Sequence, residues 1–224
     1  MTFSHTNTLF PIQITSTDTP SGRFYTLPSG IKYPSITTIL SIDPPIELIN
    51  WRESIGQEQA DIITKRGSDR GSIIHELCEK YLLNQDINLS DYDTEHIKLF
   101  NQIKYQVKNI NNIRGLELPV YSDVLQIAGR TDCIGEFNNI LSIIDFKTST
   151  NVKDKYKITN YFIQATAYSL MVEELYGETI EDIVIIIATE KTMLPLVFKE
   201  KRTKYIKMLL DKIERFNEVR KNDL

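Results

Sequence analysis

Cysteine and tryptophan are scarce: 224 residues hold two cysteines, Cys78 and Cys133, and one tryptophan. Two thiols cannot build a four-cysteine zinc or iron–sulfur site. They read as reduced, buried thiols of a cytoplasmic protein. No apolar run approaches the roughly 18 residues of a membrane span. No lysine or arginine precedes Arg23, so the opening MTFSHTNTLFPIQI reads as neither a secretory signal nor an Arg-rich transit peptide. A large excess of one charge is also missing. The net charge of −4 argues against general coating of nucleic acid.

What is present suits one globular domain, or one domain with an appendage: 41% apolar and 25% charged residues. The division expected is an N-terminal hairpin and helical extension over 1–66 and a core over 67–224, packed as one compact body. Basic residues gather locally. Between Lys201 and Lys221 eight Lys/Arg face three acids, and Lys153, Lys155 and Lys157 form a second group. Each reads as a solvated face that would also suit a phosphate track.

Residues 23–27 and 31–33 are β-like, and Pro28-Ser29-Gly30 between them reads as a turn, which makes a small hairpin. Ser35 then caps a short helix through Ile36, Ile39 and Leu40. Helices are expected over about 45–63, 69–83 and 91–109. Strands follow over 116–122, 124–137 and 140–148, then a helix over 161–176 and a strand over 183–189. A short edge strand over 194–199, marked by Pro195, and a final helix to about Lys221 complete the order. This is an α/β layered core with the leading helices as a cap or wall.

One stretch carries chemistry. IIDFKTS (143–149) is an apolar run ending in Asp145 and Lys147, two residues apart and so on one face. Alone, it is a strand leaving the core with an ion pair at its rim. Asn138-Asn139 ahead of it suits a tight hairpin turn, because Asn tolerates positive φ. With those two residues as the loop, Asp132 lies directly opposite Asp145, at a Cβ separation of about 4.5–5.5 Å, and Arg130 lies opposite Lys147. The other face, with Thr131, Cys133, Ile144 and Phe146, is core-like. Opposed like charges destabilise a sheet unless one takes up a proton or a cation sits between them. Hard oxygen ligands beside an ammonium describe a Mg²⁺ or Mn²⁺ site for phosphate chemistry. A self-neutralising four-charge cluster is the plainer reading. His75 points inward from the stripe Ile74, Cys78, Tyr81 and Leu82, where a satisfied core histidine is the ordinary outcome. Gln164 and Tyr168, spaced i, i+4, project from one helix face.

In order, G-x-x-x-H (Gly71 to His75), G-R-T-D (Gly129 to Asp132), D-F-K-T (Asp145 to Thr148) and Q-x-x-x-Y (Gln164 to Tyr168) resemble the PD-(D/E)XK nuclease superfamily. They look most like its branch containing the RecB nuclease domain and lambda exonuclease. RFYTLPSGIKYPSITTIL (23–40) further resembles the mitochondrial genome-maintenance exonucleases and related phage exonucleases. The resemblance covers roughly 23–200. It implies a restriction-endonuclease-like core, a mixed sheet flanked by helices. It implies Asp132 and Asp145 as metal-binding carboxylates, the Phe146 carbonyl and His75 as further ligands, and Lys147 as the group that positions or activates water. It implies Gln164 and Tyr168 as holding DNA phosphate or supporting the site. Apart from the resemblance, an acidic protein must hold DNA through a local basic lining, and Arg130 on the charged hairpin face, Arg70, Lys153, Lys155 and Lys157 are the candidate contacts. Glu117 matches an acid that some members carry before the metal hairpin. The register places it on the right face but some four residues along from Asp132. Thr131 stands where many members have Pro. The cluster-ligating cysteines of some relatives are absent. With no visible mitochondrial targeting segment, the setting expected is a bacterial cell or phage-infected host.

The function expected is a Mg²⁺- or Mn²⁺-dependent DNA exonuclease acting on single-stranded ends in recombination, repair or replication, with no membrane partner. The alternatives are a double-strand end-resecting nuclease or endonuclease of the same superfamily, and a non-catalytic DNA-binding module. Tyr25, Tyr33 and Trp51 are candidate base-stacking platforms, with ordinary packing as their other reading.

Overall fold

The structure is a computed structural model, and it describes residues 2–222. Three short strands open the chain: β1 (Thr15–Thr19), β2 (Gly22–Thr26) and β3 (Lys32–Pro34). The β2–β3 hairpin is the expected one, with Tyr25 across from Tyr33 and the turn closed by Gly30 N–H donating to the Leu27 carbonyl. β1 was not expected. All five of its residues are exposed, so its sequence carries no burial pattern. Tyr25 and Tyr33 are buried, and the Tyr33 hydroxyl donates to Asp123, so both are packing residues.

Ser35 caps α1 (Ile36–Leu40): its hydroxyl accepts the Thr38 N–H at 3.0 Å. The next helices divide differently from expectation. α2 (Ile46–Ile55) stops at Gly56, and α3 (Gln57–Leu82) runs unbroken through Gly67 and Gly71. Gly56 takes φ +81, which favours glycine, whereas Gly67 and Gly71 keep helical backbone at a modest propensity cost. α2 contributes no buried residue. α3 buries Ile74, Leu77, Cys78 and Leu82 on one stripe, and α4 (Thr94–Val107) buries Leu99, Phe100, Ile103 and Val107.

The central sheet has the order β4-β5-β6-β7-β8. Its strands are β4 (Ile110–Ser122), β5 (Ile127–Phe137), β6 (Ile140–Ser149), β7 (Asp182–Thr189) and β8 (Leu196–Lys201). All pairs are antiparallel except β6–β7, whose crossover is α5 (Thr159–Tyr176). α6 (Ile206–Asn222) closes the chain. One face of the sheet packs Ile134, Ile143, Ile185 and Ile187 against α1, α5 and α6. The other packs Cys133, Ile144, Phe146 and Ile186 against α3 and α4. The fold is therefore α/β, a mixed sheet flanked by helices. Among the described residues no helix is long and apolar enough to cross a membrane.

Asn138 and Asn139 take φ +51 and +64, and β5 and β6 pair in the register read from the sequence, Phe137 with Ile140 and Cys133 with Ile144. Gly129 on β5 leaves room for the edge of the Tyr168 ring of α5. A Cβ there would meet the Tyr168 ring at 2.5 Å. That ring is buried and its hydroxyl accepts from Gln164, so it has nowhere to retreat. Gly129→Ala is expected to lower stability by about 1–3 kcal/mol through overpacking. Chemical denaturation checks this, and an unchanged midpoint would show that the ring gives way freely.

Candidate functional site

The β5–β6 ladder ends at Cys133 and Ile144. The next rung would set Asp132 against Asp145. There the strands part, and Asp132 Oδ2 accepts the Phe146 N–H at 2.8 Å in place of a main-chain partner. The opposition of Arg130 and Lys147 expected from the register is likewise not formed. Arg130 pairs with Glu117 (Nε to Oε2, 2.8 Å) and Lys147 with Asp145 (Nζ to Oδ2, 2.5 Å). The charged face is also more buried than expected, because α5 covers the sheet on that side. Asp132 is 8% exposed and Asp145 1%. Phe146 meets the site through its N–H, which is the contact that ties it to Asp132.

Glu117 is the main change from the sequence reading. The β4–β5 turn pairs Ser122 with Ile127, and that register runs unbroken to Gly115, with Leu116 paired with Cys133 and Leu118 with Thr131, so Glu117 stands across from Asp132 rather than four residues away. It holds φ +44 inside a strand, unusual for a non-glycine residue. The helix partner arrives from α3: His75 Nδ1 lies 3.4 Å from Asp132 Oδ1 and 3.7 Å from Glu117 Oε1. His75, Glu117 and Asp132 offer ligand atoms all within 4.8 Å of one another. His75 and Glu117 line a cleft of about 540 Å³ whose wall also includes Arg130, Lys147, Tyr161 and Gln164, with Asp132 buried behind them.

The charges tune one another. Burial pushes the Asp145 carboxyl up to about 6 against the pull of Lys147, with the Asp132 charge adding to the rise. Asp132 is also pushed up by burial, but His75 outweighs this and holds it below the ordinary carboxylate range. For His75, burial opposes protonation, yet the Asp132 charge and the hydrogen bonds of Asp132 and Glu117 raise it to about 10. Lys147 is lifted above the ordinary lysine value because Asp145 and Asp132 outweigh its burial.

The remaining expected DNA contacts separate into two groups. Arg130 stays 57% exposed at the cleft mouth, and Gln164 lines the cleft. Tyr168 is buried beneath Gly129, so it supports Gln164 rather than reaching a ligand. Arg70 is a correction. Its side chain is 7% exposed and ion-paired with Glu190, and it also donates to Thr148 and Thr150. It ties α3 to the end of β6 and presents no free charge to a phosphate. Lys155 pairs with the buried Glu200 and Lys157 with Asp154, while Lys153 is half-buried. The loop is thus less cationic than its sequence. Tyr161, which the sequence reading passed over, lies under Lys147, with the ammonium 5.3 Å from its ring centroid.

These residues fit a divalent cation. Asp145 Oδ1 is buried without a hydrogen-bond partner among the described residues, while Oδ2 has only the Lys147 ammonium, so one carboxylate oxygen is left to take a cation. Carboxylate oxygens with one imidazole suit Mg²⁺ or, more strongly, Mn²⁺.

Residues 88–221 match the PD-(D/E)XK nuclease superfamily, and the chain belongs to that superfamily. The matched span contains Glu117, Asp132, Asp145 and Lys147 and leaves His75 outside. Among curated proteins the chain is similar to mitochondrial genome maintenance exonuclease 1 of Xenopus tropicalis, 27% identical over 54% of this chain and 37% of that protein. It is equally similar to the Mus musculus protein of the same name, 27% identical over 60% of this chain and 43% of that protein. The chain thus matches less than half the length of these relatives. A crystal structure of a protein from Eubacterium rectale aligns over 81% of this chain and 70% of its own at 13% identity, with a TM-score of 0.43.

Without divalent metal, His75 makes the fold pH-sensitive in a defined direction. Its folded value of about 10 exceeds the ordinary 6.5, so its contribution is complete below pH 6.5 and is lost as pH rises toward 10. Asp145, raised from 3.8 to about 6, acts in the same direction at lower pH, since its charged form is the unfavourable one. The metal-free melting temperature is expected to fall between pH 6.5 and about 10, and His75→Gln to flatten that fall. An identical slope in the variant, read by calorimetry, would place the titration elsewhere.

Proposed function

We propose that this chain is a divalent-metal-dependent DNA exonuclease that acts on single-stranded ends in recombination, repair or replication. One observation carries the reading: a cleft lined by His75, Glu117 and Lys147 is backed by two buried carboxylates, Asp132 beside His75 and Glu117 and Asp145 paired with Lys147. Asp132, Asp145, His75 and Glu117 would hold the cation. When bound, it supplies positive charge to the scissile phosphate and lowers the pKa of an attacking water.

The chain's own groups do the rest. Asp145 and Asp132 keep Lys147 protonated, so its ammonium serves as a fixed donor. It orients water and stabilises charge that develops on the phosphate oxygens. Asp145 also limits how far that ammonium can wander. Arg130, at the mouth, meets the phosphate backbone as it enters. Gln164, braced by Tyr168, offers an amide to the strand. Cleavage from an end, rather than internally, is supported by the names of the relatives. The preference for a single strand rests on the family resemblance. α2 and the first half of α3 are largely exposed, and their bases Arg52, Lys65 and Arg66 are paired with Asp61, Asp69 and Glu95.

Purified protein with Mg²⁺ or Mn²⁺, given single strands labelled at either end, is expected to shorten them from one end. Asp145→Asn should abolish this while leaving metal-free stability level or higher, because it removes a buried charge. Lys147→Ala should slow turnover by roughly 10²-fold or more, the scale of a positioned charge-stabilising group, and should still bind metal. Near-normal cleavage by Asp145→Asn would overturn the reading.

A further inference from the structure

Beside the catalytic cleft runs a second groove of about 300 Å³, and the two share Thr37, Tyr161 and Gln164. The second groove has a different character. Leu40, Pro45 and Leu48 line it, with polar atoms contributed by Asn160 and Gln164 at its α5 side. Tyr161 stands at the junction. Lys147 lies over its ring at 5.3 Å from the centroid, and the same residue lines the apolar groove. Lys147 addresses the scissile phosphate in the reading above, so the groove begins within one nucleotide of the reacting bond.

A nucleic-acid strand presents phosphate and base in alternation, and a site that holds both needs charge beside an apolar platform. The two cavities supply that alternation: the charged one ends at Lys147 and the apolar one begins at Tyr161. No cationic side chain lines the apolar groove. Leu48 is 40% exposed and Pro45 is also exposed, so part of the groove wall has no partner within the chain. Asn160 and Gln164 carry amides, which donate and accept together and so suit base edges of any identity. Continuity with the catalytic cleft sets the occupant: it must be part of the molecule whose phosphate lies at Lys147.

Resting on the nuclease reading, we infer that this groove is a base-binding subsite, in which the nucleobase next to the scissile phosphate packs on Tyr161 and against Pro45 and Leu48. Tyr161 then does two things. It fixes the nucleotide through its base, and it fixes the lysine that faces the adjoining phosphate. Sequence preference is weak, because stacking accepts every base. A strand paired in a duplex cannot offer its base to the groove without unpairing, so the subsite favours single strands over double strands.

The test uses single-stranded oligonucleotides carrying one abasic (tetrahydrofuran) nucleotide, moved stepwise from the end. Affinity for the whole protein is measured by fluorescence anisotropy in Ca²⁺, and cleavage is measured separately in Mg²⁺ or Mn²⁺. One abasic position is expected to weaken binding by roughly tenfold or more, the scale of losing one stacked base. Tyr161→Ala should erase the difference between intact and abasic strands, and Leu48→Ala should reduce it. Tyr161→Phe, which keeps the ring, should retain it. Leu48 is exposed, so its variant reports on the groove and not on folding. Equal affinity for intact and abasic strands at every position would overturn the subsite, as would a contrast that survives both Tyr161→Ala and Leu48→Ala. The nuclease reading is judged on the other arm, by whether intact strands are cut, so the two fail separately.

Discussion

Everything at the site follows from two carboxylates that the hairpin brings to the point where its strands part. Asp132 and Asp145 occupy the rung at which β5 and β6 would otherwise continue to pair. In a low-dielectric interior, like charges that close cannot both persist without compensation. The structure compensates on both sides. His75 and the Phe146 N–H serve Asp132, and Lys147 serves Asp145. Glu117 adds a third negative charge and Arg130 a third positive one. The cluster is balanced without a cation, yet among the described residues Asp145 Oδ1 has no partner and Oδ2 has only the Lys147 ammonium. A divalent ion would satisfy Asp145 and would compete with the proton on His75, so metal binding and imidazolium deprotonation are linked.

The second constraint is how α3 reaches the sheet. His75 contributes only if the helix is held at a fixed height over β5 and β6. Arg70, a little over one turn earlier, does this by binding Thr148 and Thr150 at the end of β6 and Glu190 just past β7. It is a buried cation with carboxylate and hydroxyl partners, which is the condition under which burial of charge is tolerated. Its sequence context, RGSIIH, looks like the approach to a phosphate track, but the side chain is spent on holding the helix.

The site was legible in the sequence to the extent that local rules set it. Asn138-Asn139 dictates a two-residue turn, the turn dictates the register, and the register sets Asp132 across from Asp145. The α/β layering followed from the order of apolar runs, and the mixed sheet from the resemblance. Glu117 was misplaced because its position depends on the length of the β4–β5 turn: β5 begins at Ile127 rather than at 124, and Ser122 pairs with Ile127. The α2–α3 boundary was missed because Gly56, Gly67 and Gly71 look alike in sequence, and only the first needs positive φ. The lysines at 155 and 157 could not be discounted, since their acid partners Glu200 and Asp154 are found by folding or by loop geometry. Tyr161 carried no sequence signal, as its role comes from lying under Lys147 in space.

The most direct measurement of the central claim, that Asp132 and Asp145 are built around a cation, is thermal unfolding during a Mn²⁺ titration. A ligand that binds only the folded state raises the melting temperature with concentration. The wild-type chain should show that rise, and Asp132→Asn should not, while keeping a cooperative transition. An equal rise in both proteins, or none in the wild type, would contradict the account.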